Sequence, residues 1–126
     1  MRSIAFALFA FASTHAGSAQ DARKDISDNA QAAISVCLAF YSIVADCAGN
    51  DAKSHMQAAA AIEQLSKMSA KASSAARLQP ADAQLRLDLN TFDQRALIGD
   101  SCAGIATLRA RYADQCGELM DKAASQ

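Results

Sequence analysis

Cysteine is the residue type with the most definite chemistry in this chain, and it occurs at Cys37, Cys47, Cys102 and Cys116. No CxxC pair is present, which argues against a thioredoxin-like redox site, and no CxxCH motif, which excludes covalent c-type haem. In an oxidising compartment an even number of cysteines predicts structural bridges, so we expect two disulfides. A metal-binding thiolate cluster is the less favoured alternative.

The chain has two histidines, and His15 lies in the signal-like amino-terminal segment described below. In the rest of the chain a catalytic triad or a Cys-His pair could therefore be built only around His55. Asp51 precedes it by four residues and Met56 follows it, which could begin a zinc or copper site. Asp51 is also well placed to cap a helix, and no second histidine follows at helical spacing. We therefore interpret Asp51 as a helix cap and expect no metal site.

Cofactor and carboxylate chemistry find little support in the sequence. Haem held without covalent attachment would need two axial ligands, and His55 with Met68 or Met120 is the available pair. Both methionines lie on apolar stripes, where methionine ordinarily fills gaps in a core, so we expect no cofactor. No glycine-rich phosphate loop or nucleophile elbow occurs, and the carboxylates lack the pairing of general acid and base catalysis. The sequence thus predicts that the protein is not an enzyme. The dispersed carboxylates are Asp82, Asp88, Asp93, Asp114, Glu118 and Asp121.

The amino-terminal segment has the pattern of a secretory signal peptide. Arg2 precedes an unbroken apolar run over residues 4–12, and small residues end the segment at Gly17-Ser18-Ala19. A run of nine residues is too short to cross a hydrocarbon layer about 30 Å thick. We expect cleavage after Ala19, which leaves residues 20–126 as one domain in the periplasm or the medium. No lipid anchor is expected, because Gln20 rather than a cysteine follows the cleavage site.

The net charge of the chain does not indicate a class of binding partner. The chain has 12 Lys and Arg against 13 Asp and Glu, a formal net charge of −1, and its basic residues are scattered. The electrostatic footprint of a nucleic-acid or anionic-membrane binder is therefore missing, and both partners are excluded.

The composition favours helices, since alanine is abundant and the chain holds five glycines and one proline. Short connections between helices of roughly twenty residues predict an all-α, antiparallel, up-down-up-down four-helix bundle. The four predicted helices run from Ser27-Asp28-Asn29 to Ala48, from Asp51 to Ala75, from Pro80 to Gly99, and from Asp100 or Ser101 to Ala123.

Apolar stripes at steps of three and four residues are expected to turn these helices towards a common core. On the third helix the stripe is Leu85, Leu89, Phe92 and Ala96. Arg109 interrupts the fourth stripe, with its stem along apolar surface and its head in water or on a carboxylate. The longer stripes comprise Ala58, Ala61, Ile62, Leu65, Met68, Ala72 and Ala75 on the second helix, and Cys102, Ile105, Ala106, Tyr112, Ala113, Cys116, Leu119, Met120 and Ala123 on the fourth.

Helix geometry predicts how the cysteines pair. At 1.5 Å per residue, Cys37 and Cys47 lie about 15 Å apart and Cys102 and Cys116 about 21 Å apart, whereas bridged Cα atoms are about 4.4 to 6.8 Å apart. Pairing within a helix is therefore excluded. The first and fourth helices run antiparallel as neighbours, which predicts Cys47 bonded to Cys102 and Cys37 bonded to Cys116.

The first helix carries more apolar surface than a bundle core requires. In one interpretation the second and third helices wrap it more fully than a square bundle would. In the other, Leu38, Tyr41 and Ile43 border a contact surface for a homodimer or another exported protein. The run is interpreted as too short and interrupted for a transmembrane helix, so no membrane insertion is expected after signal removal. Its apolar residues leave a narrow polar line of Ser35, Ser42 and Asp46.

These observations predict an exported, non-enzymatic helical protein that acts as a protein-interaction, inhibitor or immunity-like, or scaffolding module in the periplasm. The plan of a small exported bundle with two disulfides is similar to that of several periplasmic immunity and inhibitor proteins, a likeness of architecture that carries no residue across. The alternative is a carrier that holds an apolar ligand, haem or a metal in the bundle.

Overall fold

The computed structural model describes the backbone of residues 16–125 and the side chains of residues 19–125. Within that range the chain is helical and contains no strand, which confirms the all-α fold. The elements in chain order are α1 (Ala16–Cys47), α2 (Ala52–Ala75), α3 (Pro80–Leu97), a 3₁₀ turn (Cys102–Gly104) and α4 (Ile105–Ala124).

The helices alternate in direction and pack together as the predicted four-helix bundle. Residues 48–51 turn the chain from α1 into α2. The disulfides are Cys37–Cys116, with Cα atoms 5.5 Å apart, and Cys47–Cys102, with Cα atoms 5.4 Å apart. Both predicted pairs are confirmed. Because later residues of α4 meet earlier residues of α1, these two helices run antiparallel.

α1 is the central helix, and the bundle is not square. α2, α3 and α4 each pack against α1 and make few contacts with one another. A helix covered on three sides buries residues around most of its circumference, and Ala39 and Ile43 are both 0% exposed. The interpretation in which neighbouring helices wrap the first helix is therefore correct. The buried cluster consists of Ile34, Cys37, Leu38, Phe40, Ile43, Val44, Ala58, Leu65, Ile98, Leu108 and Cys116.

Two predicted helix starts are confirmed in detail. The Asp51 carboxylate accepts hydrogen bonds from the Ser54 backbone N–H at 3.2 Å and from the Ser54 hydroxyl at 2.8 Å, which caps α2. Pro80 opens α3, where the N–H that proline lacks would have no partner in the helix. Both sequence signals are local, so they did not depend on the packing of the bundle.

The predicted start of the first helix is wrong. α1 already includes Ala16, and residues 20–25, which precede the predicted start, are helical. Asp28 is not a cap, because it lies inside the helix and its carboxylate binds Arg86 on α3. The predicted signal peptide lies outside the described residues except for Ala16 to Ala19, which form the first turn of α1.

α1 is long enough and apolar enough to cross a membrane by length and composition, so the expectation that this helix is too short is also wrong. The apolar composition has a second explanation, since half of its most apolar window is buried inside the protein.

Candidate docking surface on the third helix

α3 packs against α1 through polar side chains. Arg86 donates from Nη2 to Asp28 Oδ1 at 2.7 Å and from Nη1 to Gln31 Oε1 at 2.9 Å. Gln31 is 1% exposed, so this second bond satisfies a carbonyl that water barely reaches. One guanidinium thus joins a charged and a neutral acceptor on consecutive turns of α1.

The polar contacts continue along both helices towards their carboxyl ends. Asn90 donates to the Ser35 hydroxyl at 3.2 Å, and Gln94 Nε2 donates to the Val36 carbonyl at 2.9 Å. Arg95 closes the series on the Asp46 carboxylate at 2.5 Å. Because the partners advance in the same direction, α3 runs parallel to α1.

The polar line predicted on the first helix therefore lies beneath α3. Of its members, Ser35 and Asp46 bind α3, while Ser42 donates to the Leu38 carbonyl of its own helix at 2.7 Å. Asp28 and Gln31 extend the line towards the amino end at the same helical spacing. α3 thus covers this polar strip of α1.

Most of the large apolar side chains of α3 point away from the bundle, whereas Leu87 packs against the core. Phe92 is 70% exposed, and Leu85 and Leu89 are each 55% exposed. The expectation that these residues face the core is wrong, because hydrogen bonding to α1 turns the opposite face of α3 inward. With Ala81 and Ala96, which are also exposed, they form what we call the α3 stripe, about 22 Å long at 1.5 Å per residue.

Carboxylates border the α3 stripe on both edges. Asp82 and Asp93 lie along one edge by helical angle, and Asp88 lies along the other. Within residues 19–125 none of the three forms an ion pair, whereas both arginines of α3 are engaged with aspartates. The stripe thus has an acidic rim without cationic partners among the described side chains.

The contact surface expected on the first helix is wrong. Ile43 is 0% exposed and Leu38 is 7% exposed, and both belong to the core. Tyr41 is half-buried and its ring packs on Phe40 with centroids 4.9 Å apart. Burial raises the pKa of the Tyr41 hydroxyl, with a further contribution from the Asp121 charge. The wrapping of α1 by three helices removes Leu38 and Ile43 from any partner.

The histidine region is placed at the exposed start of α2. His55 is exposed and Met56 is 70% exposed. The hydrogen bonds from Ser54 hold the pKa of Asp51 below its usual range and use the carboxylate as a cap. Residues 19–125 hold no group of three His, Cys, Asp or Glu side chains arranged to bind a metal ion. Met68 and Met120 are partly buried against the core.

On α4 the inward residue missed by the sequence analysis is Leu108, which is 0% exposed. Leu108 lies three residues after Ile105 and four before Tyr112, and this helical spacing would have placed it on the apolar stripe. Arg109 beside it is exposed, so its head lies in water.

Comparison of the chain with family models, with curated proteins and with solved structures finds no match.

Proposed function

We propose that this protein is an exported, non-enzymatic interaction module that binds another exported protein through the α3 stripe. The observation that carries the proposal is the exposure of three large apolar side chains in register on one helix face, led by Phe92 at 70%. A contiguous apolar surface with a polar rim is typical of a protein-binding site.

The polar attachment of α3 supports this role. Hydrogen bonds and an ion pair hold α3 on α1, and Leu87 is the large apolar side chain of α3 that packs against the core. The apolar side chains on the far side contribute little to the bundle and are available to a partner. Phe92, the largest of them, is the natural anchor, since aromatic side chains dominate binding energy at interfaces.

Charge defines the class of partner. A segment that fills the stripe with apolar side chains and places Lys or Arg beside Asp82, Asp88 and Asp93 would complement the rim. A second copy of this chain fits less well. In a parallel or an antiparallel pairing, carboxylates of one copy would oppose carboxylates of the other, and like charges destabilise such contacts. We therefore favour a heterologous partner over the homodimer.

Export supports the choice of an extracytoplasmic partner. The signal-like amino terminus and the two disulfides suit the periplasm or the medium, where disulfides persist.

The test is capture of binding proteins from native envelope extract on immobilised protein that begins at Gln20. We expect a protein retained by the wild type to be lost with Phe92→Asp and retained with Met56→Asp. Met56 is the matched control, because it is an apolar side chain of the same exposure, 70%, outside the stripe.

Two further measurements define the partner. Retention should weaken with added salt and with the double change Asp82→Asn and Asp93→Asn, because the rim attracts basic residues. Equal retention by the wild type and Phe92→Asp would contradict the proposal. A dimer in light scattering that Phe92→Asp dissociates would show instead that the stripe binds a second copy.

A further inference from the structure

A groove of about 480 Å³ lies between α2 and α3, above α1. It exists because these two helices pack on α1 and hardly touch each other. Small side chains of α2 form one wall and leave the space open, and α3 forms the other. The volume falls within the range of small-molecule sites, roughly 300 to 1,000 Å³. Its lining residues are Gln31, Ser35, Leu38, Ser66, Ser69, Ala70, Ser73, Ser74, Leu78, Pro80, Ala83, Gln84 and Leu87.

The floor of the groove holds two fixed polar side chains, each 1% exposed. Arg86 binds Gln31 Oε1 at 2.9 Å, which leaves the Gln31 amide nitrogen free to donate into the groove. One of its two hydrogens is used by the Ser69 hydroxyl at a long 3.4 Å, so one hydrogen is left for a ligand. Asn90 donates to Ser35, so the Ser35 hydroxyl hydrogen remains available to an acceptor. Hydrogen bonds from α3 therefore orient two donors before any ligand arrives.

The walls restrict the charge of a ligand. Among the described residues that line the groove none is charged, and the nearby Arg86 guanidinium is occupied by Asp28. A charged ligand would lose hydration without gaining a counter-ion. Leu38, Leu78 and Leu87 supply apolar contact instead.

We propose that the groove is a binding site for an uncharged, largely apolar small molecule that carries a carbonyl or hydroxyl oxygen. The oxygen accepts hydrogen bonds from Gln31 and Ser35, and the apolar body lies between Leu87 and the small side chains of α2. The site is separate from the α3 stripe, which occupies the outward face of the same helix.

The test uses the fluorophore Prodan, an uncharged naphthalene that carries a ketone, with protein that begins at Gln20. We expect saturable binding of one probe per chain with blue-shifted emission. Ala70→Phe fills the groove from an exposed position and should abolish the binding. Ala110→Phe makes the same change at an exposed position on α4, outside the groove, and should leave binding unchanged.

Further variants separate the alternatives. Ser66→Phe fills the groove from a second position and decides the result if Ala70→Phe has lost the helical circular dichroism of the wild type. Ser35→Ala should weaken binding about fivefold, the equivalent of one hydrogen bond of about 1 kcal/mol. Leu89→Asp should have no effect. Absence of saturable binding, unchanged binding in the folded groove-filling variants, or loss of binding in Leu89→Asp alone would each overturn the inference.

Discussion

Gln94 lies in the α1–α3 interface with half of its hydrogen-bonding capacity satisfied. The side chain is 2% exposed, and Nε2 donates to the Val36 carbonyl at 2.9 Å, but Oε1 accepts no hydrogen bond from residues 19–125. A buried acceptor without a donor costs about 1 to 3 kcal/mol, while the bond that Nε2 makes contributes about 1 kcal/mol. The two effects oppose each other, and the larger one is unfavourable.

Gln94→Met should therefore stabilise the protein by about 1 kcal/mol, because it removes both polar atoms and keeps the volume. Urea denaturation of wild type and variant measures the difference. Gln94→Glu is the contrasting change and should destabilise the fold, since it buries a carboxylate in the same place. A clear loss of stability in Gln94→Met would mean that the bond to Val36 outweighs the unpaired oxygen.

Asp51 gives a pH-dependent prediction at the same scale. Its pKa is lowered in the folded protein by the Ser54 hydrogen bonds, so its contribution is present above the unfolded pKa, about 3.9, and is lost as the pH falls through the folded value. Asp51→Ala should lower the melting temperature at neutral pH, and the difference from wild type should shrink below about pH 4. Asp51→Asn also caps helices but does not titrate, so its difference from wild type should change sign or vanish in acid. A constant deficit of Asp51→Ala at all pH values would contradict this account.

α3 is the element whose place depends most on polar contacts. α3 contains no cysteine and is therefore not held by a disulfide. Its apolar contacts with the core come mainly from the partly buried Leu87 and from Ile98, which directly follows the helix. Its polar contacts with α1 come from Arg86, Asn90, Gln94 and Arg95. The ion pair between Arg86 and Asp28 contributes to this attachment, and its side chains are only 31% and 41% exposed to water. Water therefore screens this ion pair less than it screens a fully exposed one.

Arg86→Ala should cost about 2 kcal/mol of stability, because it leaves the buried Gln31 carbonyl without its donor as well as removing an ion pair. Lys67→Ala is the control, since the Lys67–Glu63 pair lies on the surface with side chains 77% and 72% exposed and should cost at most about 0.5 kcal/mol. Denaturant titration compares the two. Equal losses would show that the Arg86 contacts add nothing beyond a surface pair.

The sequence predicted the elements better than it predicted which side of α3 faces inward. Caps and periodicity within single helices located α2, α3 and α4, and helix spacing excluded the wrong cysteine pairs. The rule that apolar stripes face the core failed on α3 because Ser35 and Gln31 on α1 present polar groups to it. That complementarity belongs to two helices 55 residues apart in sequence, as for Asn90 and Ser35, and neither helix shows it alone. The burial of Leu38 and Ile43 could not be predicted from α1 alone either, since it depends on how many helices surround α1.

At the scale of the whole molecule the two disulfides differ in their access to solvent. Cys37 and Cys116 are 1% and 0% exposed, whereas Cys102 is exposed. Both bridges join α1 to the final part of the chain, so they close most of the fold into loops.

Mild dithiothreitol should reduce Cys47–Cys102 before Cys37–Cys116, because thiolate attack requires access to sulfur. Alkylation followed by peptide mapping identifies the order. Replacing Cys37 and Cys116 together with alanine should cost about 3 kcal/mol by the chain-entropy estimate, because the intact Cys47–Cys102 bridge already spans 55 of the 79 residues between them. Simultaneous reduction of both bridges would show that the protein unfolds globally before either one reacts.

Under the proposed export, the continuity of α1 through two cysteines also affects the order in which the disulfides form. In a chain that arrives amino terminus first, Cys37 and Cys47 are exposed to oxidants while Cys102 and Cys116 have yet to emerge. A disulfide between Cys37 and Cys47 would be the first incorrect bond that could form. Once α1 is helical, their Cα atoms lie about 15 Å apart, which is too far for a disulfide. The helix therefore prevents this bond, and both thiols stay reduced until Cys102 and Cys116 are present.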